Sequence, residues 1–165
     1  MQAKRPRIRL KWTVWDLVLE CTGWGLLTLF WIVLFATYDQ APHTIPTHFN
    51  LLGKPDAFGH KSQLLMLPIV ASLLFIGLTW LNKFPHIFNF PIEINEHNAE
   101  TQYRLATRFI RWLKAWIVLL FLMIASTSMN ALNQSSLPLN WVLPMMLFGV
   151  FVGSIAYLIA ASKKS

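Results

Sequence analysis

The stretch Leu17-Val18-Leu19-Glu20-Cys21-Thr22-Gly23-Trp24-Gly25-Leu26-Leu27-Thr28-Leu29-Phe30-Trp31-Ile32-Val33-Leu34-Phe35-Ala36 is a run of 20 residues with one charged side chain, Glu20. At about 1.5 Å rise per residue, a helix of this length reaches about 30 Å, the thickness of a bilayer's hydrocarbon core. The run predicts a membrane-spanning helix. Thr13-Val14-Trp15-Asp16 just before it fits the Ser/Thr-x-x-acid capping pattern, and the Asp16 carboxylate also suits the positive end of a helix dipole. Five basic residues precede the run (Lys4, Arg5, Arg7, Arg9, Lys11), and Val33-Leu34-Phe35-Ala36-Thr37-Tyr38 at its end lacks a small-x-small cleavage pattern, so an uncleaved anchor is expected.

Three further apolar runs follow. Leu64 to Leu81 is opened by Ser62 as a candidate N-cap, carries Pro68 near its first turns, and is ended by Asn82 and Pro85. The third begins at Trp112 or Ala115 and runs to about Ser128; the fourth covers Trp141 to Ala161, after Pro138 and before Ser162-Lys163-Lys164-Ser165. The expected spans are 14–36, 63–82, 112–130 and 139–162, in a single membrane domain covering 1–165. Seven tryptophans (Trp12, Trp15, Trp31, Trp80, Trp112, Trp116, Trp141) fall near predicted ends, where interfacial rings are favoured.

Composition agrees: of 165 residues 55% are hydrophobic and 13% charged, against about 25% charged in a soluble domain. A separate soluble catalytic domain does not fit beside four spans, and no internal repeat or long low-complexity tract is present, only a short polar turn at Asn130 to Ser136. Cys21 is the single cysteine, so no intramolecular disulfide exists, and its apolar setting disfavours thiolate chemistry. The formal charge of +7 is spread between apolar runs rather than gathered on one soluble face, which argues against nucleic acid.

The basic residues instead set orientation. Five lie before the first span, five between the second and third (Lys83, Arg104, Arg108, Arg111, Lys114) and two after the fourth, whereas the opposite side has only Lys54 and Lys61. By the positive-inside rule both termini and the 83–111 loop are expected in the cytoplasm, and the 37–62 loop outside. The fold class is therefore an all-α membrane protein, a four-transmembrane-helix bundle with a structured extracytoplasmic loop between helices 1 and 2.

Within the cytoplasmic loop, Lys83 to Ile92 is aromatic and broken by proline, so a lipid-facing linker is expected. A helix is expected from about Glu96, because Glu96, Glu100, Arg104, Arg108 and Arg111 repeat at spacings of four, four, four and three on one stripe. That stripe reads either as a self-stabilised helix with acids N-terminal to bases, or as a contact face (Glu100, Arg104, Arg108, Arg111) for anionic lipid or a cytoplasmic partner. Glu20, one turn beyond Asp16, needs a partner; Arg104, Arg108 and Lys11 are the candidates for a structural pair, and a proton- or ion-coupling role is the alternative. Gly149, Gly153, Ala156 and Ala160 give the fourth run a small-residue face suited to close helix contact within one chain or in a homo-oligomer.

The outer loop carries the chemistry. Ile45 to Leu51 alternates Thr47, Phe49 and Leu51 against Pro46, His48 and Asn50, and Gly53-Lys54-Pro55-Asp56 supplies a turn. An extended segment, a tight turn and a return are expected, with His48 and Asn50 on one side and Phe49 and Phe58 dipping toward the membrane or helix ends. His43, His48 and His60 raise the question of metal, since imidazole suits zinc or copper. His43 and His48 are an odd number apart, however, and Asp39 or Asp56 would have to complete the ligand set. The competing reading makes His48 a hydrogen-bonding strut with Asn50 and Asp56, and no cofactor is expected.

The pattern Ile45-Pro46-x-His48-Phe49-Asn50-x-x-Gly53-x-Pro55-Asp56-x-Phe58-Gly59-x-Lys61, followed by Leu64-Leu65-Met66-Leu67-Pro68, resembles the N-terminal membrane domain of unknown function of the bacterial SdpI-like immunity proteins. The resemblance spans about Leu29 to Leu81, with a weaker likeness at Asn95-Glu96-His97-Asn98 and Tyr103-Arg104-Leu105. It implies a multi-pass protein of the bacterial cytoplasmic membrane, immunity to a secreted toxic peptide and, in one signalling scheme, capture of a repressor at the membrane. Three functions are weighed: a non-enzymatic binding or immunity-like protein acting through its outer loop, on a toxic peptide or another membrane protein; a small transport or signalling subunit with Glu20 as coupling group; and a metal-dependent hydrolase using His43, His48, His60 and Asp56, which lacks any H-E-x-x-H pattern.

Overall fold

Thr13 opens the first helix as its sequence context predicts. In the structure, a computed structural model describing residues 5–50, 54–130 and 139–163, Asp16 N–H donates to the Thr13 hydroxyl while Thr13 N–H donates to the Asp16 carboxylate at 2.8 Å. The helix so capped, α1, runs Val14–Tyr38. Strands β1 (Thr44–Phe49) and β2 (Pro55–His60) form an antiparallel hairpin, and α2 (Met66–Leu81), α3 (Ala99–Asn130) and α4 (Leu139–Ser162) complete the order. Four helices are long and apolar enough to cross a membrane. The chain is an all-α, four-helix membrane protein with a small β-hairpin between α1 and α2. Gly53, expected in a turn, and residues 131–136, expected as a short turn, lie outside the described residues, as do Lys4 and Lys164.

Side-chain pairs give the helix directions. Going up α1, Thr13, Asp16, Glu20 and Thr37 meet Arg108, Arg111, Lys114 and Met129 in rising order, so α1 and α3 run parallel. Against α3, α4 descends: Trp116 Nε1–H donates to Met146 O at 2.9 Å, Phe109 stacks on Tyr157, and Gln102 Nε2 donates to Ala161 O at 2.9 Å. Leu27, Phe30, Ala71, Phe75, Val118 and Ala125 form the buried centre of α1, α2 and α3. Gly23 permits this closeness, since a Cβ there would sit 2.8 Å from the Phe75 ring. The small-residue face of α4 is used within the chain: Gly149 receives the Trp116 indole and Gly153 the Trp112 indole.

Three local expectations need correction. Ser62 does not cap α2; Lys61–Leu65 forms a 3₁₀ turn capped by His60, whose Nδ1 accepts from Ser62 N–H at 3.2 Å, and α2 starts at Met66 with Pro68 at its third residue. Glu96 precedes the third helix, because Asn95 Oδ1 accepts from the N–H groups of His97 and Asn98 and holds a cap turn before Ala99. The linker is not lipid-facing throughout. Phe90 and Ile94 are buried against Ala99, Tyr103 and Ala106 of α3, and Arg5 donates to Phe88 O at 2.5 Å, so its carbonyls and rings both find partners inside the protein.

Candidate functional site

Two regions hold the candidate side chains, one at the hairpin end of the bundle and one at the opposite, basic end. The hairpin is seated by Ile45, which is buried with Ala41, Leu34 and Leu64. Full burial of one such aliphatic side chain contributes about 1.5–3 kcal/mol, which is large for a hairpin this short. Its base is tied to α1 by Lys61, whose Nζ donates to Tyr38 O at 3.3 Å and lies 4.8 Å from the Tyr38 ring centroid.

The strict alternation expected for β1 is broken. A register shift between Pro46 and His48 leaves Thr47 bulged, so Ile45 and Pro46 are both buried and His48 emerges on the exposed side. There its Nδ1 meets Asp56 Oδ1 across the hairpin. Asn50 and Lys54 close the turn, with Asn50 N–H donating to Lys54 O at 2.9 Å and Lys54 N–H to Asn50 Oδ1 at 3.0 Å. Pro55 pairs with Phe49 at the start of β2. His48 therefore meets Asp56 across the hairpin, while Asn50 braces the turn through Lys54. Phe58, paired with Pro46 across the hairpin, stands 58% exposed and so is not packed on the helix ends, one of the two positions expected for it. Phe49 is half-buried and, with Pro46, His48, Gln63, Ile124 and Ser128, lines a groove of about 260 Å³ between hairpin and bundle.

His43 and His60 approach each other, with ring centroids 6.4 Å apart, while His48 is held at Asp56. Among the described residues no three His, Cys, Asp or Glu side chains gather closely enough to hold a metal ion.

At the basic end, two acids of α1 meet four cations of α3. Asp16 Oδ1 accepts from Arg108 Nε at 2.9 Å and lies 3.6 Å from Arg111, with Arg104 at 3.5 Å from Oδ2. Glu20 pairs with Lys114 at 2.5 Å and Arg111 at 3.2 Å, one turn deeper than the partners Arg104, Arg108 and Lys11 expected from sequence. The parallel run of α1 and α3 explains the correction: a step of four along α1 requires a matching step along α3, from Arg108 to Arg111 and Lys114. Lys11 enters through its carbonyl, which accepts from Arg104 at 3.0 Å. Lys114 also donates to Thr79 of α2 at 2.6 Å and lies 4.2 Å from the Phe75 ring centroid.

Of the stripe read as a contact face, Arg104, Arg108 and Arg111 turn toward α1, while Glu100 stays exposed and accepts from Arg104 at 2.8 Å. Sequence reasoning missed Lys114 as the partner of Glu20. The signal was its place in the 104, 108, 111, 114 series, which continues the basic face into the apolar span.

Residues 25–71, covering most of α1, the hairpin and the start of α2, match the family model described as a domain of unknown function (DUF1648). A stretch of 73 residues is 37% identical to an uncharacterized protein of Archaeoglobus fulgidus, covering 39% of this chain and 40% of that protein. The match thus spans about two-fifths of that relative's length. No solved structure matches the chain. The chain is a small multi-pass membrane protein whose hairpin and flanking helices are similar to this domain.

Proposed function

We propose that the chain is a non-enzymatic binding protein of the SdpI-like, immunity-related kind, which takes a peptide at the hairpin end. In this reading the hairpin faces outward from the cytoplasmic membrane and both termini are cytoplasmic, as the distribution of basic residues supports. The groove between hairpin and bundle carries the proposal. Its lining is part apolar (Leu64, Leu67, Ile124) and part polar (His48, Gln63, Ser128), a mix suited to an apolar peptide side chain flanked by hydrogen-bonding backbone. The seated hairpin keeps the groove preformed, which lowers the ordering cost of binding.

The test is growth of a peptide-toxin-sensitive bacterium expressing the wild type or the His48→Ala/Asn50→Ala double variant at equal membrane abundance. Protection by the wild type alone supports the reading; equal sensitivity with and without the wild type across a broad toxin panel counts against it.

A second reading, a transport or signalling subunit with Glu20 as coupling group, rests on the same Glu20 lining a cleft at the basic end while paired with Lys114. Transport per folded chain that is unchanged in Glu20→Gln removes it.

A further inference from the structure

A cleft of about 530 Å³ opens at the basic end, between the extended segment before α1, the end of α2 and the face of α3. That volume falls in the range of small-molecule sites, about 300–1,000 Å³. Its wall carries Arg7, Arg9, Lys83 and Arg111. These cations are not alike. Arg111 is committed to Glu20 and Asp16, and its guanidinium also lies 4.8 Å from the Trp12 ring centroid. The side chains of Arg7, Arg9 and Lys83 are exposed and, among the described residues, have no carboxylate partner, in contrast to the paired Arg104, Arg108 and Lys114. Among the described residues Glu20 is the one acid on the wall, and it is already shared by Arg111 and Lys114.

The depth of the cleft is also informative. It begins at Asn82 and Lys83, just past the span ending at Leu81, and at Trp12, just before the span opening at Val14. That is the border where lipid headgroups lie.

We propose that this cleft binds a phosphate ester, the phosphate held by Arg7, Arg9 and Lys83 at the headgroup border. Arginine forks and a lysine ammonium suit phosphate oxygens, and a phosphate supplies the negative charge that three uncompensated cations lack. An anionic lipid headgroup such as phosphatidylglycerol and a free glycerol phosphate offer the same chemistry.

The test is retention of phosphatidylglycerol against phosphatidylcholine by the purified full chain in neutral detergent, read by native mass spectrometry. Wild type is expected to retain phosphatidylglycerol at least ten-fold better. Arg7→Gln/Arg9→Gln/Lys83→Gln is expected to bring this to within two-fold of phosphatidylcholine. Lys163→Gln, which removes an exposed charge outside the cleft, is expected to leave it unchanged. The same thermal transition in all variants shows that each remains folded, and the triple variant alters only exposed side chains. Equal retention of the two lipids by wild type overturns the proposal, as does a loss in Lys163→Gln comparable to that in the triple variant. Competition by millimolar glycerol 3-phosphate assigns the site to a free ester, and failure to compete assigns it to the lipid; either result keeps the phosphate-ester chemistry.

Discussion

Lys114 Nζ lies 2.5 Å from Glu20 Oε1 and 2.6 Å from Thr79 Oγ1, so one ammonium joins α1, α2 and α3 inside the bundle. The side chain of Lys114 is fully buried, and a charge in that position is tolerated only while its partner remains. The two partners are not equivalent. Glu20 retains Arg111 if Lys114 is lost, whereas Lys114 retains only a hydroxyl and a ring face if Glu20 is lost. Glu20→Gln is therefore expected to cost about 3–5 kcal/mol, Lys114→Met less, and the double variant Glu20→Gln/Lys114→Met less than Glu20→Gln alone. Reversible unfolding in detergent checks the order, and additive losses would refute the coupling.

Asp16 faces three arginines, yet its removal is expected to be milder. Arg104 and Arg108 lie at the edge of the bundle, where their heads can return to water. Asp16→Ala removes the capping box and the shared acceptor, with an expected loss of about 1–2 kcal/mol. In the same unfolding assay it should fall below Glu20→Gln; a larger loss would mean that Arg111, not the cap, is the costly orphan.

The helices and the cap of α1 were legible because length, hydropathy and the Thr13-x-x-Asp16 spacing are local signals. The hairpin was legible too, from turn residues between two short extended segments. What escaped was set by tertiary geometry. The depth at which Glu20 finds its partners follows from the parallel run of α1 and α3, which no single segment encodes. The bulge at Thr47, beside which Ile45 and Pro46 are both buried, depends on how β2 meets β1. The cleft at the basic end joins residues from three separate segments, so its cations looked in sequence like ordinary orientation signals.

Glycines on α4 and elsewhere should respond in opposite ways. A Cβ at Gly153 meets the Trp112 indole and one at Gly149 the Trp116 indole, whereas Gly25 and Gly77 have nothing within 4 Å. Gly153→Ala and Gly149→Ala are expected to cost about 1–3 kcal/mol through displaced rings. Gly25→Ala and Gly77→Ala are expected to be neutral or stabilising by up to about 1 kcal/mol, because a helix loses less backbone entropy with alanine. Thermal transitions of the four variants in one detergent test this. Equal behaviour would mean that α4 does not pack on α3 through these tryptophans.

His48 and Ile45 separate the surface of the hairpin from its seat. The His48–Asp56 pair is exposed, with His48 at 68% and Asp56 at 42%, and exposed pairs contribute little to global stability. Ile45, at 2% exposure, fills the pocket formed with Leu34 and Leu64. Ile45→Ala is expected to cost about 2–4 kcal/mol, while His48→Ala should leave the unfolding transition in place and speed amide exchange at Ala57 and Phe58, opposite the lost strut. Hydrogen exchange read residue by residue distinguishes the two. If His48→Ala lowered the global transition as Ile45→Ala does, the hairpin would be part of the folding core, and loss of toxin protection in a His48 variant would report stability rather than binding. If it does not, a His48 variant that loses protection at full abundance isolates the recognition surface itself.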